Sequence, residues 1–521
     1  MRRPKSVKSR EIPDALPARE LPAKTFVSKD GVVTLGRSVE NHCVIVGYVA
    51  KELIRRLPIS LSSVLFPPGS ELVAACHDVG KVSPTFYLKL LSATTAFLAE
   101  DYESFRDIDP KLEKLWGGHA GVSQLAISNL SIGKYIHEIV GQHHGFSPIV
   151  NRYLADDSIF GGRDWQVERE KLVGSLKEEF QTDFPEITSD SGAKALAGLT
   201  SVADWIGSGS HFENPTHDWR PIVERAVDDA GFIFPKIKKG LSFKEIFGYS
   251  KPRDAQSLLI KNGYKPGVHI MEAPMGLGKT EAALFCAYLA LSELNATGIY
   301  FALPTQLTSN AIYRRFNAFL EEIIDGVPES YLLHSAAWLV DKVEMGASAR
   351  PGGSWFDSKK RGLLAPFAVG TIDQALMAAM NVRHGFVRAF GLAGKVVILD
   401  EVHSYDAYTG TILDALIDLL QSLNCTVIVL SATLTQIRRN ELIKGDTNSV
   451  AYPLVCSKMA GLEPQVDGLK MNETHNVSVK LIENDDDAIE EAIARAANGQ
   501  QVLWIENTVG EAQEIYRTFC F

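Results

Sequence analysis

No run of roughly 18 apolar residues occurs in the 521-residue chain, so nothing in it reads as a membrane span. Cysteine is scarce. Six residues (Cys43, Cys76, Cys286, Cys425, Cys456 and Cys520) stand singly, with no Cys-x-x-Cys pair. That excludes zinc ribbons and a disulfide framework, and it fits a reducing cytoplasm. Positive charge is also short, with 53 Lys and Arg against 63 Asp and Glu, a net charge of −10. A broadly basic surface is thereby excluded, though a local basic groove is not. The sign points to a partner that delivers any nucleic-acid substrate. No internal repeat is present. The basic stretch from Met1 to Pro13 lacks the apolar segment of a secretory signal, and residues 1–26 are expected to form a flexible arm.

What remains is ordinary globular material, 45% apolar and 22% charged, long enough for two or three domains. Residues 27–238 read as an all-helical domain. The stretches 41–57 and 119–130 carry apolar residues at helical spacing, 207–220 is rich in turn formers, and 221–231 is helical again. From 239 the texture changes. Apolar runs at 267–272, 297–303, 366–371, 395–400 and 425–431 alternate with helical spans, the pattern of a parallel sheet covered on both faces. This α/β lobe is expected to run to 448. Residues 449–521 then hold an acidic patch, one more strand at Gln501–Glu506 and a helix.

The run Ala273-Pro274-Met275-Gly276-Leu277-Gly278-Lys279-Thr280 follows the first of these strands and opens a helix. Gly276 and Gly278 let backbone N–H groups approach phosphate oxygens, and the helix N-terminus adds positive potential. Lys279 is placed to reach the β- and γ-phosphates and Thr280 to hold magnesium, although Ala273 stands where the strict pattern has glycine. The strand Val396–Asp400 ends in Asp400-Glu401-Val402-His403. A carboxylate at that edge suits magnesium, and Glu401 suits an attacking water.

Histidines mark the helical half: His42, His77-Asp78, His119 and His143-His144, followed by Asp204. Imidazoles mixed with carboxylates suit divalent transition metals, and Asp78 has two oxygens with which to bridge a pair of them. Lys81, one turn from His77, is placed to steady a substrate phosphate. Taken singly, His42 can fill a helix face and Asp204 can be an ordinary buried acid. Several histidines converging is harder to explain without a metal.

The ordered set Lys279-Thr280, Asp400-Glu401 and Ser431-Ala432-Thr433 resembles superfamily-2 helicases of the DExH type. That resemblance implies a RecA-like lobe in which Gln256 reads adenine and Pro274 to Thr280 hold ATP with magnesium. It also implies that His403, Ser431 and Thr433 couple the nucleotide to movement, and that Thr305, Gln306, Thr371 and Gln374 grip DNA. It breaks at the second RecA-like lobe, of which only the beginning is expected here, without the arginine-bearing motif; ATP turnover is doubtful as a result. The His77-Asp78-Val79-Gly80-Lys81 run, Gly118-His119 and Gln142-His143-His144-Gly145-Phe146 resemble the HD nuclease domain of the CRISPR-associated helicase–nucleases of type I systems. This implies a single-stranded DNA nuclease with catalytic Asp78, joined to a 3′-to-5′ motor. Two iron, manganese, cobalt or nickel ions would be held by His42, His77, Asp78, His119, His143, His144 and Asp204. The implied partner is a guide-RNA surveillance complex, with no membrane. One alternative is an HD phosphohydrolase acting on RNA or nucleotides with a regulatory ATPase lobe. Another is a binding platform with a structural metal.

Overall fold

The computed structural model describes residues 13–97, 105, 108–109, 111, 113–114, 117–130, 132–148, 160–294, 296–304, 306–326, 331–333, 362–402, 407–469 and 477–520. These fall into two units, divided after residue 470.

In the first unit residues 13–26, expected to belong to a flexible arm, are held in place. Leu21 and Ala23 are buried, and β1 (Thr25–Val27) pairs antiparallel with β2 (Val33–Leu35). The stretch is fixed because its apolar residues have a core to enter, and Trp165 donates to the Pro13 carbonyl. The expected helices form as Val39–Arg56, His119–Ser128 and Val223–Asp229. Val39–Arg56 starts where the Ser38 hydroxyl accepts from the Asn41 N–H. It buries Val39, Cys43, Val46, Ala50 and Leu53, one stripe at helical spacing. The turn-rich segment after residue 207 contains a short turn at Ser210–Phe212. The guanidinium of Arg37 gathers it by donating to the carbonyls of Phe212, Asn214 and His217.

The α/β part is one sheet of eight strands. β3 (Gly267–Glu272), β4 (Ile299–Leu303), β5 (Tyr331–Leu333), β6 (Phe367–Thr371), β7 (Val396–Asp400) and β8 (Thr426–Ser431) run parallel. β9 (Leu454–Met459) returns antiparallel on β3, and β10 (Gln465–Gly468) pairs with β9. The order across the sheet is β10-β9-β3-β8-β7-β4-β6-β5. β9 and β10 move the boundary expected at 448 to beyond residue 468, because the edge of β3 still has ladder groups to satisfy. The central strands are buried on both faces. Met271, Ile299, Phe301 and Ile398 pack under helices Lys279–Leu294 and Gln306–Ile323. Ile270, Tyr300, Val397 and Val429 face the other way, into the same core as Val46 and Leu199 of the helical domain.

That shared core rests on helix Asp190–Gly207, which lies between Val39–Arg56 and helix Gly385–Leu392 of the α/β part. Gly198 sits at the closest approach. A Cβ there would come within 2.4 Å of the Phe390 Cβ and 2.6 Å of the Phe386 carbonyl oxygen. Gly198→Ala therefore forces two helices apart and should cost about 1–3 kcal/mol. A lowered melting temperature, with faster proteolysis between the helical and α/β parts, is the expected result; an unchanged melt would refute it.

The second unit holds helices Asp485–Ala497 and Val509–Cys520. The strand expected at Gln501–Glu506 does not form, and Leu503 and Ile505 are exposed. The described residues of this unit supply no second strand to complete its ladder, which an isolated strand needs. Among the described residues, no single helix is long and apolar enough to cross a membrane.

Candidate active site

The histidine–aspartate residues converge on Asp78. It lies in a 3-10 turn, Cys76–Lys81, whose backbone departs from helical geometry at Asp78 itself (φ −110°, ψ 17°). The helical run on which Lys81 was placed one turn from His77 is therefore not kept. One carboxylate oxygen, Oδ2, lies 3.0 Å from His42 Nε2 and 3.1 Å from His77 Nε2. The other, Oδ1, lies 3.3 Å from His119 Nε2 and 3.6 Å from His143 Nε2. Asp204 joins the first side, with Oδ1 at 3.3 Å from His77 Nε2. His144 joins the second, its Nε2 at 3.0 Å from His119 Nε2. Two donor groups result: His42, His77, Asp78 and Asp204, and next to them His119, His143 and His144.

Backbone carbonyls set the rings. His77 Nδ1 lies 2.9 Å from the Ala74 oxygen and His143 Nδ1 2.7 Å from the Val140 oxygen. A carbonyl only accepts, so each Nδ1 carries hydrogen and each Nε2 is turned toward the cluster. Burial pushes His42 down to about 4 and His143 to about 3, keeping those rings neutral as metal ligands require. His77 is also buried, but the carboxylates of Asp78 and Asp204 outweigh that and raise it to about 10. Burial works against ionising Asp78 and Asp204 as well; the charge of His77 prevails and holds both well below the usual range.

These residues fit a pair of cations. His42 Nε2, His77 Nε2, His143 Nε2 and Asp78 Oδ1 are buried and, despite their short approaches to one another, make no hydrogen bond of acceptable geometry, a costly arrangement that a metal would satisfy. Lys81, expected to face a substrate phosphate, instead places Nζ 2.6 Å from Asp78 Oδ2 with little exposure. Four supports carry no local sequence signal. The Gly80 N–H donates to Ser123 Oγ, and a Cβ on Gly80 would strike the His119 carbonyl at 2.2 Å. Ser201 Oγ donates to the His143 carbonyl. From the α/β part, Arg383 donates to the His144 carbonyl and the His384 N–H to that of Gly145.

The second site is a cleft of about 420 Å³ at the C-terminal ends of β3 and β7. Gly276 and Gly278 both adopt positive φ. A side chain on Gly278 would also meet Gln256, whose Nε2 donates to the Gly278 carbonyl at 2.9 Å. Both ends of the Gln256 amide are engaged, since Oε1 accepts from the Arg253 N–H. Lys279 Nζ donates to the Ala273 carbonyl at 2.8 Å. Thr280, Asp400 and Glu401 line the cleft, and Tyr249, Lys251 and Arg253 line it as well, three residues that sequence reasoning missed. Burial raises Asp400 to about 6, with the Glu401 charge adding, while Lys279 and Arg315 pull it down. Ser431 Oγ donates to the Thr433 carbonyl. Beneath the loop, Glu272 and Arg439 form a buried ion pair at 2.7 Å, and the Leu434 N–H donates to Glu272.

Thr371 is buried, its carbonyl accepting from the Tyr300 hydroxyl, and Gln374 is partly exposed. Thr305, His403 and the side chain of Gln306 lie outside the described residues.

Residues 38–212 match the model of the Cas3 HD domain, and residues 253–440 match that of DEAD/DEAH box helicases. The chain therefore resembles Cas3 proteins along both its helical and its α/β part. It is 30% identical over 85% of its length to the CRISPR-associated endonuclease/helicase Cas3 of Thermus thermophilus, of which it covers 52%. To the CRISPR-associated nuclease/helicase Cas3 of Streptococcus thermophilus it is 29% identical over 86% of its length, covering 56% of that protein. A crystal structure of T. fusca Cas3 superposes with a TM-score of 0.70 at 25% identity, over 87% of this chain and 56% of that one. A chain of a CRISPR RNA-guided surveillance complex in a pre-nicking state shares the fold, with a TM-score of 0.65 at 23% identity over 98% of this chain and 62% of that one. The chain thus spans little more than half the length of these two curated Cas3 relatives. Its Cas3 HD domain and helicase lobe imply the use of metal and of ATP.

Proposed function

We propose that the chain is a metal-dependent nuclease for single-stranded DNA, joined to the first lobe of an ATP-driven 3′-to-5′ DNA motor. It acts on DNA opened by the guide-RNA surveillance complex of a type I CRISPR system. The observation that carries this reading is Asp78, whose two carboxylate oxygens face two separate groups of ligand atoms.

His42, His77 and Asp204 would hold one divalent cation, His119, His143 and His144 the other, with Asp78 between them. Iron, manganese, cobalt and nickel suit this nitrogen-rich set. When bound, such a pair supplies Lewis-acid polarisation of a phosphodiester and a water acidic enough to attack it. The chain's own part is preorganisation. Val140 and Ala74 fix the rings, Ser201 and Arg383 fix the histidine loop, and Lys81 orients Asp78 through an ion pair. In the cleft, Lys279 and Thr280 would take the phosphates and magnesium, Asp400 the magnesium, and Glu401 the attacking water. Gln256 would exchange its bond to the loop for adenine. The strand would be gripped by Thr305, Gln306, Thr371 and Gln374. His403, Ser431 and Thr433 would pass the nucleotide state to that grip.

Protein stripped with chelator and resupplied with manganese should cut circular single-stranded DNA without ATP, and stripped protein should not. Cutting that prefers RNA, or turnover of mononucleotides alone, would favour the phosphohydrolase alternative. No cutting of any substrate with metal loaded would sink the nuclease assignment.

A further inference from the structure

The cleft contains a cation that the phosphate-loop pattern does not account for. Arg315 projects from helix Gln306–Ile323 to line it together with Thr280, Asp400 and Glu401. Its guanidinium pairs with Glu281, the residue that follows Thr280 in the first turn of helix Lys279–Leu294. The Arg315 side chain is 52% exposed and that of Glu281 20%. The carboxylates of Glu281, Asp400 and Glu401 thus share the cleft with four cations, Lys251, Arg253, Lys279 and Arg315, of which Arg315 is the one paired with Glu281.

Resting on the nucleotide-site reading above, we propose that Arg315 is a ligand of the terminal phosphate of ATP, held by Glu281 until nucleotide arrives. The γ-phosphate end is indicated by position, since Arg315 lies with the magnesium and water residues. The pair with Glu281 is a poor candidate for fold stabilisation. A half-exposed ion pair contributes little, and a terminal phosphate offers the same guanidinium charge-assisted, often bidentate bonds with more negative charge behind them. Giving up Glu281 for the phosphate therefore costs Arg315 little. It also means that this lobe carries an arginine of its own for the terminal phosphate, distinct from the one its resemblance places in a second lobe.

ADP lacks the group Arg315 would hold, so the test is discrimination between the two nucleotides. Fluorescent methylanthraniloyl derivatives of ATP and ADP, each with magnesium, would be titrated into the full 521-residue chain. Arg315→Gln should weaken ATP binding about tenfold and change ADP binding less than about twofold. Glu281→Gln, which frees the guanidinium, should tighten ATP relative to ADP. An unchanged ATP-to-ADP ratio in both variants would overturn the proposal, as would equal weakening of both nucleotides by Arg315→Gln in a protein whose melting temperature is unchanged. Should Arg315→Gln fail to fold, Glu281→Gln decides the matter alone, through a raised or an unraised ratio. If the parent chain binds neither nucleotide, or Lys279→Ala binds as the parent does, the nucleotide-site reading itself fails, an outcome separate from these.

Discussion

Asp78→Ala should reduce cleavage of circular single-stranded DNA by about 10³-fold or more and strip the protein of both metals together. Metal polarisation of a phosphodiester is worth several kcal/mol, and each 1.4 kcal/mol or so is a factor of ten in rate. The joint loss follows from geometry: Oδ2 serves the side of His42 and His77, and Oδ1 that of His119 and His143. Metal content by elemental analysis should therefore fall from about two ions per chain to less than about one. His144→Ala, by contrast, removes a ligand from one side only and should leave about one ion. Nucleotide affinity should not change, because no residue of the cleft belongs to the cluster. Asp78→Asn keeps the shape and separates the charge effect from the packing effect. Retention of both metals and of the parent's cutting rate in Asp78→Ala would place the nuclease elsewhere.

Arg439→Met should destabilise the α/β part by about 3–5 kcal/mol, because it leaves the Glu272 carboxylate buried without its cation. Arg439 also donates to the Thr447 hydroxyl and carbonyl, so the segment leading to β9 loosens with it. Glu272 immediately precedes Ala273 and accepts from Leu434, just past Ser431 and Thr433. The damage should therefore reach the phosphate loop and weaken ATP binding at temperatures where the fold persists. Glu272→Gln combined with Arg439→Met removes both charges and should recover part of the lost stability. A melting temperature within about a degree of the parent's for Arg439→Met would show that the pair is not holding these segments together.

The phosphate loop, Asp400 and Ser431 were legible in the sequence because buried parallel strands are short continuous apolar runs, and binding residues follow directly at their C-terminal ends. Five of those runs became β3, β4, β6, β7 and β8 nearly residue for residue. β9 was not legible. Leu454–Met459 mixes apolar residues with Ser457 and Lys458, and its antiparallel place beside β3 is a tertiary fact. The convergence of the histidines could be read from their pairing in sequence, but the residues that hold them in place could not. Arg383 meets His144 across 239 residues and Arg315 meets Glu281 across 34. Neither pair has a period or a spacing to betray it. Gln501–Glu506 failed for the opposite reason: its pattern is that of a strand, and strand pattern alone does not supply a neighbour.

Helix Asp190–Gly207 carries Asp204 of the histidine–aspartate cluster and packs through Gly198 on the helix that follows the Thr371–Gln374 segment. With one apolar core enclosing both, the distance between the proposed DNA-holding segment and the histidine–aspartate cluster is set by packing, as in a ruler, not left to the slack of a tether. A strand held by the α/β part and cut at Asp78 would then be measured off in a step set by the fold itself.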